Sequence, residues 1–338
     1  MKHVRPVVAR QRSVIWILLG VLAEIMLTAA AVCALYIAWQ MWWTGVQSEH
    51  TQIETRQAVS WSDPGKAENV TIAQAQEGDP PVQPQNAQEG ELIAQVYIPR
   101  FGSQWQRNLV EGTTLTELNK HGLGHYTNSQ MPGQIGNFAF AGHRNGYGQP
   151  LGDVDKLQEG DPIIIRTQDY WYVYHYTKSE IVLPTDVEVV SSNPEEPGAT
   201  PTKRMLTMTT CEPKYSTPTH RWISYGEFSY WAKVSDGIPQ ELTTTDTNGK
   251  VKFINNGKAS FASGITTLEP WIFGALAAYV VIFAAAAVAW RWPVLAAIRA
   301  GEREKPDFSI YGGLLRLRAG RYCRFGCCCC CCCCSRPL

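Results

Sequence analysis

The sequence predicts an all-β fold: a closed or nearly closed barrel of about eight strands with short helices, flanked by two membrane-crossing helices. Three observations carry this. Short runs of alternating or β-branched residues recur between turn signals from Glu91 to about Gln240. Little in that stretch has helical periodicity. An apolar run lies on each side of it, Val14–Trp43 and residues 269–292, and roughly 20 apolar residues suffice to cross a bilayer.

In chain order, residues 1–13 carry Lys2, Arg5, Arg10 and Arg12 and no acid, and form a cytoplasmic segment. Residues 14–43 form the first span, closed by Trp42 and Trp43 as interfacial anchors. Residues 44–90 are poor in apolar side chains and rich in Gln, Glu, Ser and Pro, and read as a disordered outer linker. Asp63-Pro64 and the sequon Asn69-Val70-Thr71 lie within it. Residues 91–240 are the folded domain. Its expected strands are Leu92–Ile98, Leu109–Gly112, Phe138–Ala141, Pro162–Thr167, Trp171–Tyr176, Glu180–Leu183, Val187–Val190, Arg204–Cys211 and Arg221–Tyr225, with a helical turn over Thr114–Lys120. The aromatic alternation of Trp171, Val173 and His175 against Tyr172, Tyr174 and Tyr176 reads as barrel wall. Residues 241–268 are a polar tether, 269–292 the second span, and 293–338 a basic cytoplasmic tail ending in Cys327–Cys334. Basic residues before the first span and after the second place both termini inside the cell and the barrel outside. The cysteine run lacks the spacing of a zinc site, and no function is assigned to it.

The chain carries 30 basic and 30 acidic residues, a balance that argues against a nucleic-acid binder. No phosphate loop, zinc spacing or dinucleotide fingerprint is present, so no cofactor and no metal are expected. Of eleven cysteines, only Cys211 falls in the predicted outer region. A single thiol there has no disulfide partner, which points to a nucleophile. It ends the strand Arg204–Cys211, and Pro213 stops the pairing just beyond it. A thiol nucleophile needs a base. His143 sits on the glycine-flanked strand end Gly142-His143-Arg144, while His125 and His220 are alternatives that pattern alone leaves open. His50 falls in the linker, His121 in a glycine-bearing loop with His125, and His175 within a strand. Arg221 opens a strand and suits stabilisation of an oxyanion, while pattern alone leaves an ordinary surface arginine as the alternative.

These residues resemble a sortase, most closely the class E sortases of Gram-positive actinobacteria, over about Ile93–Tyr225. The strand motif Thr-Leu-x-Thr-Cys matches Thr207–Cys211 with Met208 in place of Leu, a volume-conserving change. Gly142-His143-Arg144 matches the setting of the catalytic His. Arg221 follows Cys211 by ten positions (221 − 211) where the family shows about nine. Val110–Thr113, Gly124-His125-Tyr126 and Leu157–Asp161 also match. The resemblance implies a cysteine transpeptidase with His143, Cys211 and Arg221 catalytic, Thr209, Thr210 and Tyr126 lining the substrate site, and His125 lining it or serving a structural role. It implies cleavage between Thr and Gly of an LPXTG or LAXTG sorting signal and transfer to a lipid II amine. The implied partners are surface proteins with a C-terminal sorting signal, the peptidoglycan precursor and membrane lipid. Two alternatives are a pilus-polymerising sortase, with a pilin lysine as nucleophile, and a non-enzymatic sortase-like binding module. An L,D-transpeptidase would show a Ser-His-Gly motif, which the surroundings of His143 lack.

Overall fold

The structure, a computed structural model, describes residues 14–62, 70–245, 247, 249–255, 269–286, 288 and 292–302. The basic segment 1–13, Asp63-Pro64, Asn69 of the sequon, most of the tether and the cysteine run lie outside the described residues. The chain divides into two units, residues 37–266 and the remainder.

The larger unit is a closed eight-stranded barrel in the order β1-β2-β3-β4-β7-β8-β6-β5. Its strands are β1 (Leu92–Tyr97), β2 (Gln106–Glu111), β3 (Gly122–His125), β4 (Gly136–Gly142), β5 (Pro162–Arg166), β6 (Tyr170–Val182), β7 (Arg204–Glu212) and β8 (His220–Lys233). Two pairings are parallel, β2 with β3 and β4 with β7. Parallel neighbours need a crossover. The first is α3 (Leu115–His121); the second is the β5–β6 excursion.

Side chains alternate across each strand. Phe138 and Phe140 of β4, Ile163 and Ile165 of β5, Tyr172 and Tyr174 of β6, and Leu206 and Met208 of β7 fill the interior. The opposite faces of β1, β5 and β6 are also buried: Tyr97, Ile164, Trp171 and Val173 pack against Ala73, Ile238, Leu242 and Phe253. Both aromatic faces of β6 are therefore wall, one turned inward and one covered from outside.

Several expectations are corrected. Glu180–Leu183 is the far end of the single long strand β6, because β8 keeps pairing with it as far as Val182. Val187–Val190 is a 3-10 turn that packs Val189 against Met205, Ile223 and Tyr225. The glycine-bearing loop around His121 and His125 contains β3, whose Gly124 allows close approach: a Cβ there would lie 2.2 Å from the Gly112 carbonyl oxygen.

The segment 44–90 is not a disordered linker where it is described. A π-helical turn at Trp39–Trp43 leads into α2 (Thr44–Ala58), which buries Thr44, Val46, Ser48 and Gln52. Composition hides α2 because its docking is mainly polar. The Gln52 Oε1 accepts the Asn108 N–H (3.0 Å), the Asn108 Nδ2 donates to the Gln52 carbonyl (2.9 Å), and Arg56 donates to Asn108 Oδ1 (2.8 Å). Trp43 is buried rather than placed as an exposed interfacial ring. Farther on, the Ala73 N–H donates to the Ile238 carbonyl (2.8 Å), and Gln76 and Trp231 exchange backbone bonds. The start of the polar tether is a hairpin, β9 (Thr243–Thr245) with β10 (Val251–Phe253).

In the smaller unit, α1 (Val14–Ala38) buries no residue and is long and apolar enough to cross a membrane. Among the described residues it is the one helix that meets that test; α4 (Glu269–Ala286) offers the shorter apolar stretch Pro270–Ile282. A further short helix, α5, spans Trp292–Arg299.

Candidate active site

Strand register brings three distant residues into one row. β4 and β7 pair in parallel from Gly136↔Arg204 to Ala141↔Thr209, a constant offset of 68 (209 − 141). The same offset sets His143 level with Cys211 (211 − 143), just beyond the last pair. The intermediate step is tied down, since the Thr210 hydroxyl donates to the Gly142 carbonyl at 2.8 Å. On the other side, β7 and β8 place Cys211 directly opposite Arg221, which sets their Cβ atoms about 5 Å apart. His143, Cys211 and Arg221 thus occupy one level on three adjacent strand positions.

They also share a face. Phe138, Phe140, Leu206 and Met208 point inward, so Ala141, Thr209 and the odd-numbered positions beyond them point outward. On β8, Ile223 and Tyr225 pack outside the barrel against Met205, Val182 and Val189, and Arg221 has their parity. All three side chains are partly exposed, as groups meeting a substrate must be. Cys211 is a free thiol. The Arg221 guanidinium donates to the neighbouring His220 carbonyl at 3.1 Å.

His143 is held from two sides. Its Nε2–H donates to Asn119 Oδ1 of α3 (2.7 Å), and its ring stacks on Tyr147 with centroids 5.0 Å apart. That bond keeps a proton on Nε2 and leaves Nδ1 as the atom that gains and loses the second proton. Burial lowers the imidazole pKa below its ordinary value, because desolvation disfavours the cation.

One step beyond the row, Arg144 forms an ion pair with Glu212 at the same offset of 68 (212 − 144), stacks over Trp222 at 4.7 Å, and reaches Asp155 at 3.5 Å. Arg144 is buried. This pair joins the residue after His143 to the residue after Cys211 and so locks the two strand ends in register.

The remaining expected site residues separate. Thr209 faces outward beside the row, and its hydroxyl meets the Tyr126 hydroxyl at 2.9 Å. Thr210 turns inward, is buried, and spends its hydroxyl on Gly142. His125 does not line the site. It is fully buried in the barrel interior, stacks on Phe138, and bonds Glu111 (2.9 Å), Ser129 (2.9 Å) and the Gln130 carbonyl (3.1 Å). Its pairing with Phe140 puts it on the inward face of β3. The alternative base His220 bonds Thr219, and its pairing with Glu212 gives it the parity opposite to Arg221. His175 stays in β6 as wall.

Sequence reasoning missed Asn119, Tyr147 and the structural role of Arg144. Asn119 lies in an unremarkable helical turn, and only the fold carries it to His143. Among the described residues, no group of three or more His, Cys, Asp and Glu is placed to hold a metal.

A family model described as the sortase domain matches residues 96–229. Sortase SrtE2 of Streptomyces coelicolor is 32% identical over 237 residues, covering 66% of this chain and 87% of that protein. Sortase SrtE1 of the same organism is 30% identical over 235 residues, covering 66% of this chain and 60% of that protein. Among solved structures, sortase E from Streptomyces avermitilis is similar at 40% identity, covering 46% of this chain and 99% of that one, with a TM-score of 0.42.

Proposed function

This chain belongs to the sortase family, within its class E, and from that premise we propose that it is a membrane-anchored cysteine transpeptidase whose reacting groups are His143, Cys211 and Arg221. The observation that carries the reading is the outward-facing row those three form across β4, β7 and β8.

The reaction has two halves. The Cys211 thiolate attacks the Thr–Gly carbonyl carbon of an LPXTG- or LAXTG-type sorting signal, forming the C–S bond. Arg221, one residue pair away, holds the developing oxyanion as a permanent cation. The His143 imidazolium gives its Nδ1 proton to the leaving Gly amine as the C–N bond breaks. The thioacyl enzyme then meets an amine of the peptidoglycan precursor. That amine attacks the same carbon, His143 takes its proton, and Cys211 leaves as thiolate. Thr209 and Tyr126, hydrogen-bonded to each other beside Cys211, flank the position the substrate takes.

We place the catalytic unit outside the cell, with α1 as the first span and α4 as the core of the second. Basic residues precede α1 and follow α4. Such an anchor keeps the enzyme at the surface where sorting-signal proteins and lipid-linked precursors emerge.

The test uses the full chain in detergent micelles, mixed with LAXTG or LPXTG peptides and followed by intact mass spectrometry. A thioacyl adduct is expected on the wild type and none on Cys211→Ala. Arg221→Ala should slow adduct formation about 10²- to 10³-fold, as for loss of an oxyanion donor. A glycine or lysine-containing acceptor peptide then tells wall anchoring from pilin-type transfer. Equal adduct on Cys211→Ala would sink the assignment.

A further inference from the structure

The loop that carries His143 has an uncommon backbone. Gly146, Tyr147, Gly148 and Gln149 all have positive φ, at +70°, +48°, +78° and +46°. Tyr147 and Gln149 are not glycines, and each pays a steric cost for this conformation. Such backbone persists where the surroundings over-determine it. Within the loop, the Gln149 N–H bonds the Gly146 carbonyl (2.8 Å) and the Leu151 N–H bonds the His143 carbonyl (3.0 Å).

The surroundings that fix it come from α2. The Thr44 hydroxyl accepts the Tyr147 N–H at 3.0 Å and donates to the Gln40 carbonyl at 2.6 Å. Thr44 is 2% exposed, so the bond is shielded from water. Gly45 meets the loop backbone directly: a Cβ there would lie 3.0 Å from the Gly148 nitrogen and 3.1 Å from its Cα. Gly146 faces Gln40. The helix therefore touches the turn through a hydroxyl and a glycine, with no space between. It also packs on α3, where the Ser48 hydroxyl donates to the Lys120 carbonyl at 3.3 Å. Lys120 is next to Asn119, the other group that holds His143.

We propose that α2 is the positioning element of His143: its Thr44–Gly45 edge holds the Gly146–Gln149 turn in left-handed form, and the turn lays the Tyr147 ring on the imidazole. The inference rests on the reading of His143 as the proton carrier. Thr44, Gly45 and Tyr147 are positioning residues; none need touch the substrate. The helix that follows the membrane span is thereby part of the active site's support rather than a spacer.

The experiment compares full-chain Thr44→Val, Thr44→Ser, Gly45→Ala, Tyr147→Leu and His143→Ala by thioacyl formation. In each folded variant that keeps His143, the ring is also titrated by NMR. Thr44→Val keeps the shape and removes the acceptor. It should lower kcat about 10- to 100-fold, the scale of a misplaced catalytic group, and leave KM little changed. The His143 midpoint should move up toward the value of an exposed ring as the stack opens. Thr44→Ser should restore both. Tyr147→Leu leaves α2 untouched and should reproduce the loss even where a helix variant folds poorly. The Thr44→Val/Tyr147→Leu double variant should be no slower than the slower single. Wild-type kcat and midpoint in Thr44→Val and Gly45→Ala, beside an inactive His143→Ala, would overturn the inference alone. Multiplying effects in the double variant would overturn it too. An active His143→Ala would remove both this inference and the catalytic reading beneath it.

Discussion

His143 is the residue whose environment makes the sharpest demand. Its ring is largely desolvated and packed on Tyr147, and the pKa lies below the ordinary 6.5. The folded protein then takes up this proton at lower pH than the unfolded chain. In the window between the two values the unfolded chain binds more protons, so stability falls as pH drops through it. At neutral pH the penalty is absent. The proposed proton donation by the imidazolium runs the other way and is lost as pH rises through the lowered pKa. Urea unfolding from about pH 7 to about pH 5 should therefore weaken wild type more than His143→Gln, which cannot titrate there. Equal weakening would show that the ring is as hydrated in the fold as out of it. At this scale the sequence was informative about chemistry and silent about support. Cys211 stood out as the lone thiol between the two apolar runs, and His143 and Arg221 as polar residues at strand ends. Asn119 and Tyr147 carry no such mark, because their roles depend on a crossover helix and a turn meeting one ring. His125 misled for the same reason: strand parity, not motif membership, turned it inward.

Among the elements, most strands were legible and α2 was not. β4, β6 and β7 bury alternate apolar side chains, and that periodicity is written in the chain. Short β3 is half glycine, with Leu123 as its one aliphatic side chain, so it passed for a loop. The helix α2 buries one aliphatic side chain, Val46, beside Thr44, Ser48 and Gln52, so hydrophobic pattern cannot reveal it. Its attachment to β2 depends on hydrogen bonds made in a buried place. Gln52→Leu would keep the volume and leave the Asn108 N–H without its acceptor. An unsatisfied buried donor costs about 1–3 kcal/mol, and chemical denaturation of the catalytic unit should show a loss of that size. Arg56→Met, at a part-buried contact, should cost less. A neutral result for Gln52→Leu would mean that water reaches Asn108 and that α2 is loosely seated.

Taken whole, the folded unit is larger than composition suggests, because two polar-looking segments cover apolar surface. The outer face of β1, β5 and β6 carries Tyr97, Ile164, Trp171 and Val173. A barrel cut at residues 91 and 240 would expose it. In the chain, Ala73 lies against this face from one side, and Leu242 and Phe253 from the other. Phe253 meets Tyr97 edge-on at 5.9 Å. Backbone bonds from Ala73 to Ile238 and between Gln76 and Trp231 fix the first cover. The Tyr172 hydroxyl donating to the Pro81 carbonyl (2.5 Å) and the Arg204–Asp79 ion pair (2.5 Å) add to it. Removing one such aromatic from a core costs about 3–5 kcal/mol, a large part of a domain's net stability. A fragment spanning 70–255 should therefore unfold at higher urea, and with a steeper transition, than one spanning 91–240, since it exposes more surface on unfolding. Both fragments keep His143, Cys211 and Arg221, so the comparison isolates the covers from the proposed reacting groups. The shorter fragment should also bind a hydrophobic dye where the longer does not. Matching midpoints and slopes would mean that the segments before β1 and after β8 rest on the barrel without stabilising it, and that the boundaries at 91 and 240 are the physical ones.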